Sequence, residues 1–257
     1  MMSKALTDKV AIVTGSGNGL GEAIARRFAA EGARVVVSDI DPAAAERVSG
    51  TIDGAICIPA DVTDEQQVQE LVNQTKQRLG DLHIMVPNAG VGFVQPIAEM
   101  SLADWRRTTA VNLDGVFLSI RYAAPAIIES GGGAIVTISS ITSTAGSPLI
   151  AAYAAAKAAV RNLTETAAIE FREHGIRINA VLPGFIDTHL VTAAAPHFEA
   201  ALGLPDGGFG PFIAEKQGRY GTPEEVAAAV TFFASEQASW CTGSSLVLDG
   251  GMVASLL

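Results

Sequence analysis

Between Val10 and Asp39 the chain passes through an apolar segment, a glycine-rich turn, an amphipathic stretch and a second apolar segment ending on an acid. Val10-Ala11-Ile12-Val13 meets Thr14-Gly15-Ser16-Gly17-Asn18-Gly19-Leu20-Gly21, then Leu20, Ile24 and Phe28 recur at helical spacing. Val35-Val36-Val37 follows and leads into Ser38-Asp39-Ile40. Strand, glycine turn, helix, strand and acid, in that order, are what binding a nucleotide pyrophosphate requires. Glycines let the backbone turn sharply and approach phosphate, while a helix N-terminus offers unpaired N–H groups at the positive end of its dipole. An acid at the tip of the second strand accepts both ribose hydroxyls of an adenosine half. A glycine-rich turn alone is weak evidence; the complete unit around it is strong.

The rest of the chain repeats the alternation. Apolar runs of strand length lie at 9–14, 34–38, 55–59, 82–86, 133–138, 176–182 and 245–248. Helical patterns lie between them at 64–79, 101–129 (with a bend expected at Pro125) and 151–173; Val68, Leu71, Val72, Thr75 and Leu79 share one face. Strands so uniformly apolar are buried on both faces. The expected fold is therefore α/β: a Rossmann-type doubly wound parallel seven-stranded sheet with helices on both faces, in one domain over 1–257. Residues 187–218, rich in Gly, Pro and Ala with no steady period, read as an irregular substrate lid.

Composition narrows the partners. A net charge of −10 argues against nucleic acid. Cys57 and Cys241 have no metal spacing and read as small buried hydrophobes in a reduced compartment, so no metal is expected. Met1 to Leu6 lack the apolar core of a signal peptide, and no uncharged apolar run has spanning length, which points to a cytoplasmic protein off the membrane. At 49% hydrophobic and 17% charged, some surface is expected to be covered by other subunits. Trp105 and Trp240 read as packing or interface residues.

Tyr153 and Lys157, four positions apart on a helix, project as neighbours. A phenol with a pKa near 10 is about one part in a thousand ionised at pH 7, and closing three units takes about 4 kcal/mol. An ammonium about 4 Å away at an effective dielectric near 20 supplies a similar amount. Tyr153 is thus expected to be an acid/base for hydroxyl–carbonyl conversion, tuned by Lys157.

With these motifs in place the chain resembles the short-chain dehydrogenase/reductase family over essentially its whole length, from the turn at 14–21 to Leu248-Asp249-Gly250-Gly251. The resemblance implies that Ser140, thirteen residues before Tyr153, is catalytic and Ser139 structural. It implies that Asn112, in Ala110-Val111-Asn112-Leu113, holds a water linking Lys157 to solvent, and that Lys157 also holds the nicotinamide ribose. Asp61-Val62 would lie against adenine; outside the family, Asp61 reads as a cap for a helix starting near Asp64. Asn88-Ala89-Gly90 would sit beside the adenosine ribose, but Pro87 stands where the family has asparagine, so local support of that strand end must differ. Pro183-Gly184 through Ile186 to Thr188 would hold the nicotinamide carboxamide. The resemblance also implies a homotetramer through the helices at 101–129 and 151–173.

Asp39 suits NAD and disfavours NADP: a carboxylate would face the extra phosphate as a like charge, and Ser16, Asn18, Ile40 and Asp41 offer it no cation. The implied reaction is NAD-dependent interconversion of a secondary alcohol and a ketone. Val91, Phe93, Val94, Leu149, Leu190, Val191, Phe198, Phe209, Phe212 and Ile213 suggest a mainly apolar pocket for a cyclic or alkyl body. The lid has no arginine before Arg219, which disfavours a strongly anionic substrate; His189 and His197 read as solvated loop residues. Arg219-Tyr220-Gly221 and Pro223-Glu224-Glu225-Val226 read as the entry into the last helix. Two alternatives share the scaffold, an epimerase or dehydratase that recycles its NAD and a non-catalytic NAD(H) sensor.

Overall fold

The computed structural model describes residues 4–255; Met1, Met2 and Ser3 of the N-terminal segment lie outside it. The apolar runs become β1 (Val10–Thr14), β2 (Arg34–Ser38), β3 (Ile56–Cys57), β4 (Ile84–Val86), β5 (Gly133–Ile138), β6 (Ile176–Pro183) and β7 (Ser245–Leu248). They form one parallel sheet in the order β3-β2-β1-β4-β5-β6-β7. Alternate residues feed two cores. Ala11 and Val13, Val35 and Val37, and Val136 and Ile138 point to one layer; Ile12, Val36 and Ile135 point to the other. This two-sided burial is why each strand reads as a continuous apolar run rather than an alternating one.

Helices cover both faces. On one side lie α1 (Gly19–Ala30), which buries Ile24, Ala25 and Phe28, and α2 (Pro42–Ser49). On the other lies α3 (Glu65–Leu79), burying the predicted Val68, Leu71, Val72 and Thr75. The chain leaves β1 outward toward β2 and returns to pair β4 on its other side. The carboxyl ends of β1 and β4 therefore open a crevice where ligands bind in such sheets.

Several elements differ from expectation. β3 and β4 are shorter than 55–59 and 82–86: β3 is an edge strand paired only to β2, and ahead of β4 Leu82 N–H turns to the Ser130 hydroxyl. The 101–129 helix is α4 (Leu102–Thr109), a π turn (Ala110–Asp114) and α5 (Gly115–Glu129); its irregularity lies at the π turn, while Pro125 sits inside α5. By length and hydropathy Leu102–Glu129 could cross a membrane, but 56% of its apolar window is buried, with Ile120, Ala123 and Ile127 in the core. After α6 (Ala151–Phe171), the segment taken as irregular folds into α7 (His189–Leu202) and α8 (Phe209–Gln217), before α9 (Pro223–Ala234). Phe209, Ile213 and Gln217, each four apart, are the buried stripe of α8. Phe198 stacks on Phe209, their centroids 4.8 Å apart, in a small core separate from the sheet. Cys57 and Cys241 are half-buried at the margin of the core, and Trp240 is 99% exposed, so it is not a packing residue among the described residues.

Candidate active site

The glycine turn shapes the floor of the crevice. Gly15 and Gly19 have φ of +62° and +53°, a region that side chains disfavour. A Cβ on Gly21 would lie 2.1 Å from the Gly15 carbonyl oxygen, and one on Gly17 would lie 2.8 Å from Ala44 and 2.9 Å from Asp39 Oδ2. The N-cap of α1, Asn18, makes no side-chain capping bond, which leaves the first turn of α1 open to an anion. Ser16 and Gly17 stand behind the cavity wall. The Ser16 hydroxyl donates to Val13 O at 2.7 Å and accepts from Ser38 N–H, which ties the turn to β2. Asn88 braces the turn by donating to the Thr14 and Gly15 carbonyls. Thr14 Oγ1, accepting from Asn88 and Ala89 N–H, supports the strand end beside Pro87.

The resulting cavity, about 290 Å³, runs from Asp39, Ile40, Asp61 and Val62 past Gly15 and Gly90 to Tyr153, Lys157 and Thr188. Asp39 is fixed at its rim: Oδ2 accepts from Gly17 N–H at 2.9 Å and Oδ1 from Asp41 N–H at 3.1 Å. Each oxygen keeps a lone pair for a hydroxyl donor. Asp61 is not the helix cap; it accepts from Thr63, while Asp64 caps α3 through Gln66 and Gln67 N–H. An elongated cavity with a glycine cradle, an uncapped helix start and a carboxylate at the far rim fits a nicotinamide dinucleotide. Pro183, Gly184 and Ile186 lie outside its lining, although Gly184 borders the adjoining pocket. Ala60, Val111 and Ile138 do line it, and no polar or glycine signal marks them in the sequence.

At the inner end the four candidate catalytic residues converge. The π turn swings Asn112 inward, where its Nδ2 donates to Val91 O at 2.7 Å and to Thr108 O at 2.9 Å. Among the described residues its Oδ1 is buried without a partner, an acceptor suited to a water. A Cβ on Gly90 would touch Asn112 Oδ1 at 2.9 Å and stand 3.7 Å from Lys157 Nζ, so the two groups flank one glycine. Lys157 Nζ donates to Ile138 O at 2.8 Å, and the Ser139 hydroxyl donates to Lys157 O, the structural place expected of it. Ser140 Oγ accepts from Thr142 N–H at 3.2 Å.

Tyr153 and Ser140 also line a second pocket of about 100 Å³, walled by Val94, Ile141, Ile150, Phe185, Val191 and Phe198. Ile141, Ile150 and Phe185 were missed in the sequence. Phe209 and Ile213 lie behind the wall in the lid core, and His189 and His197 are exposed on α7. Gln217, also missed, clamps the turn after β6: Oε1 accepts from Phe185 N–H, and Nε2 donates to Phe185 O and Arg219 O.

The electrostatics correct one expectation. Burial pushes the Tyr153 phenol above its ordinary value, against the opposing pull of the Ser140 hydroxyl. Lys157 Nζ lies 5.5 Å from the centre of the phenol ring, and burial lowers the ammonium to about 8. In the free chain Tyr153 is therefore a neutral proton donor. A second consequence concerns stability. Between pH 8 and 10.5 the unfolded chain keeps a lysine proton that the folded chain has released, so stability rises with pH there. Compared with Lys157→Met in urea melts, the wild type should gain about 1–3 kcal/mol across that window. Parallel curves would mean that Nζ is hydrated.

Comparison with known proteins agrees with this geometry. A family model described as Enoyl-(Acyl carrier protein) reductase matches residues 15–253. The chain is 39% identical to the cis-4-hydroxycyclohexanecarboxylate dehydrogenase of Sinomonas cyclohexanicum, over 98% of this chain and 100% of that one. It is 40% identical to the cyclohexanol dehydrogenase of Acinetobacter sp. (strain SE19), over 97% of each. A crystal structure of a short-chain type dehydrogenase/reductase from Mycobacterium marinum superposes with a TM-score of 0.89 at 35% identity, covering 98% of both chains. Glycine cradle, paired cavities and full-length kinship agree: the chain belongs to the short-chain dehydrogenase/reductase family of nicotinamide-dependent oxidoreductases.

Proposed function

We propose that this protein is an NAD-dependent dehydrogenase that interconverts a secondary alcohol and a ketone on a small cyclic or alkyl body. The observation that carries the reading is Tyr153, which borders both the dinucleotide-shaped cavity and the small apolar pocket, with Ser140 beside it in the latter. Relatives whose names specify cyclohexanol and a hydroxycyclohexane acid support the substrate class.

In this reading the Gly15–Gly21 turn with Leu20 holds the pyrophosphate, Asp39 the adenosine ribose, and Asp61-Val62 the adenine side. Asn88-Ala89-Gly90 and Thr188 complete the cradle, and the turn through Pro183, Gly184 and Ile186 shapes its nicotinamide end. When bound, the nicotinamide supplies the two-electron acceptor for oxidation and the donor for the reverse reaction. Ser140 Oγ orients the substrate oxygen and donates to it as negative charge develops, without reorganisation because its backbone is fixed at the end of β5. Tyr153 Oη exchanges the hydroxyl proton. Lys157 Nζ and Asn112 Oδ1, on either side of Gly90, form the start of a proton path away from the phenol. Helices α7 and α8 serve as the lid, and Phe198, Val191 and Phe185 keep water from the reacting carbon. Cytoplasmic location is supported by two free thiols, with Cys57 pushed up by burial, and a homotetramer by Phe117 and Ile169, exposed on α5 and α6.

The test is NADH and NADPH formation over a panel of secondary alcohols. NAD should be preferred at least about tenfold in kcat/KM, because Asp39 trades a charge-assisted hydrogen bond for repulsion when the extra phosphate is present. Asp39→Ala should narrow the ratio, and an unchanged ratio would refute the assignment. No net turnover on any alcohol would sink the dehydrogenase reading.

A further inference from the structure

Beyond the carbinol pocket, past Val94 and Leu190, a second chamber of about 350 Å³ opens to solvent. It shares Gly92, Val94, Leu190 and Ala194 with the inner pocket, so the two adjoin. The inner pocket, about 100 Å³, is on the scale of a single six-membered ring, since an enclosed cavity of about 150 Å³ holds a benzene. A substituent opposite the hydroxyl of a ring alcohol would extend toward the outer chamber.

The outer wall carries Gln95, Asp104 and His197, and the lining of neither chamber includes a lysine or an arginine. Arg107 reaches the rim from α4 by lying over the ring of Phe93, 4.1 Å from its centroid. Its guanidinium is already committed: Nη2 donates to Asp104 Oδ1 at 2.8 Å. Asp104 Oδ2 accepts from the Ser101 hydroxyl at 2.7 Å, which fixes the carboxylate at the start of α4.

We propose that the outer chamber is a subsite for an uncharged polar substituent at the far end of the substrate. Asp104 is its specificity-determining residue, because it both accepts from such a substituent and keeps Arg107 neutralised. This rests on the dehydrogenase function proposed above. A distal hydroxyl finds lone pairs on Asp104 not used by Arg107 and Ser101. A distal carboxylate has no hydrogen to give Asp104, and finds the Arg107 guanidinium at the rim already paired.

Three probes with NAD test this: cyclohexanol, cyclohexane-1,4-diol and 4-hydroxycyclohexanecarboxylate. The diol should match or exceed cyclohexanol in kcat/KM, and the carboxylate should fall below cyclohexanol by about fivefold or more, mostly through KM. Asp104→Asn frees Arg107. It should raise the carboxylate-to-cyclohexanol ratio of kcat/KM by about fivefold or more, a gain that shrinks with added salt. Adding Arg107→Met to that variant should cancel most of the gain. A wild type that uses the carboxylate as readily as cyclohexanol overturns the subsite, as does an Asp104→Asn variant in which the ratio stays put. Turnover of larger alcohols but none of the three probes also overturns it, with the function intact. Failure on every secondary alcohol is a different result, which removes the function itself and the subsite with it.

Discussion

Tyr153→Phe should lower kcat by about a thousandfold or more while NADH binding stays within a few-fold, because general acid/base groups contribute about 10²–10⁴. The substitution is conservative for packing. The ring keeps its place beside Ile150 and Phe198 in the lid core, and only the hydroxyl is lost. That hydroxyl is the group that burial holds in its protonated form, with Ser140 alone opposing the shift. Its removal leaves the Ser140 side chain still held by Thr142 N–H, so the site should remain assembled. Residual activity within tenfold of wild type would place the proton transfer on another group. Loss of NADH binding, followed by fluorescence titration, would make the residue structural rather than chemical. The raised pKa also sets a direction. A neutral phenol is ready to protonate a forming alkoxide, whereas alcohol oxidation needs it deprotonated, so charge must arrive with the cofactor or the pH must rise.

How much of this was legible in the sequence follows from which interactions are local. The strands were visible because burial on both faces removes every polar residue from Val10–Val13 and Val35–Val37. The turn at 15–21 was visible because a Cβ would clash at Gly15, Gly17 and Gly21, and Gly15 and Gly19 hold a positive φ. The lid was misread for the opposite reason. Only Phe198 and Glu199 are buried on α7, and Pro196 interrupts its pattern, so a helix held by the small Phe198–Phe209 core leaves little periodicity. The Tyr153–Lys157 spacing was correct, but the energetics were not. Spacing on a helix sets neighbourhood, whereas the pKa of each group depends on how deeply the sheet and lid bury it. The π turn at Asn112 was out of reach, since one extra residue in a helical turn has no sequence signature; its effect appears only in the bonds to Val91 and Thr108. Gln217 and Phe185 meet across 32 positions of chain, where neither motif nor period reports them.

Gly21→Ala should abolish cofactor binding, raising the NADH Kd by about a hundredfold or more, from overpacking alone. The new methyl would lie 2.1 Å from the Gly15 carbonyl oxygen and 2.7 Å from Asn88 Nδ2. Neither neighbour can retreat cheaply. Gly15 sits at φ +62°, and its carbonyl accepts from that same Asn88 amide at 3.1 Å, so relief of one contact breaks the brace between β1 and the fourth strand's end. The alternative is for α1 to slide away from the turn, which withdraws the helix N-terminus from the phosphate. Gly19→Ala is the informative contrast. Its Cβ would meet nothing closer than 3.7 Å, on Thr188, so its cost is the strain of φ +53° without a clash. The strain costs about 1–2 kcal/mol of folding stability, and NADH binding should weaken far less than in Gly21→Ala. Fluorescence titration with NADH, alongside urea melts to confirm that each variant is folded, distinguishes the two. A folded Gly21→Ala protein that binds NADH as the wild type does would mean that close approach of α1 to the end of β1 is unrelated to phosphate. The pyrophosphate cradle would then have to be sought elsewhere on the crevice.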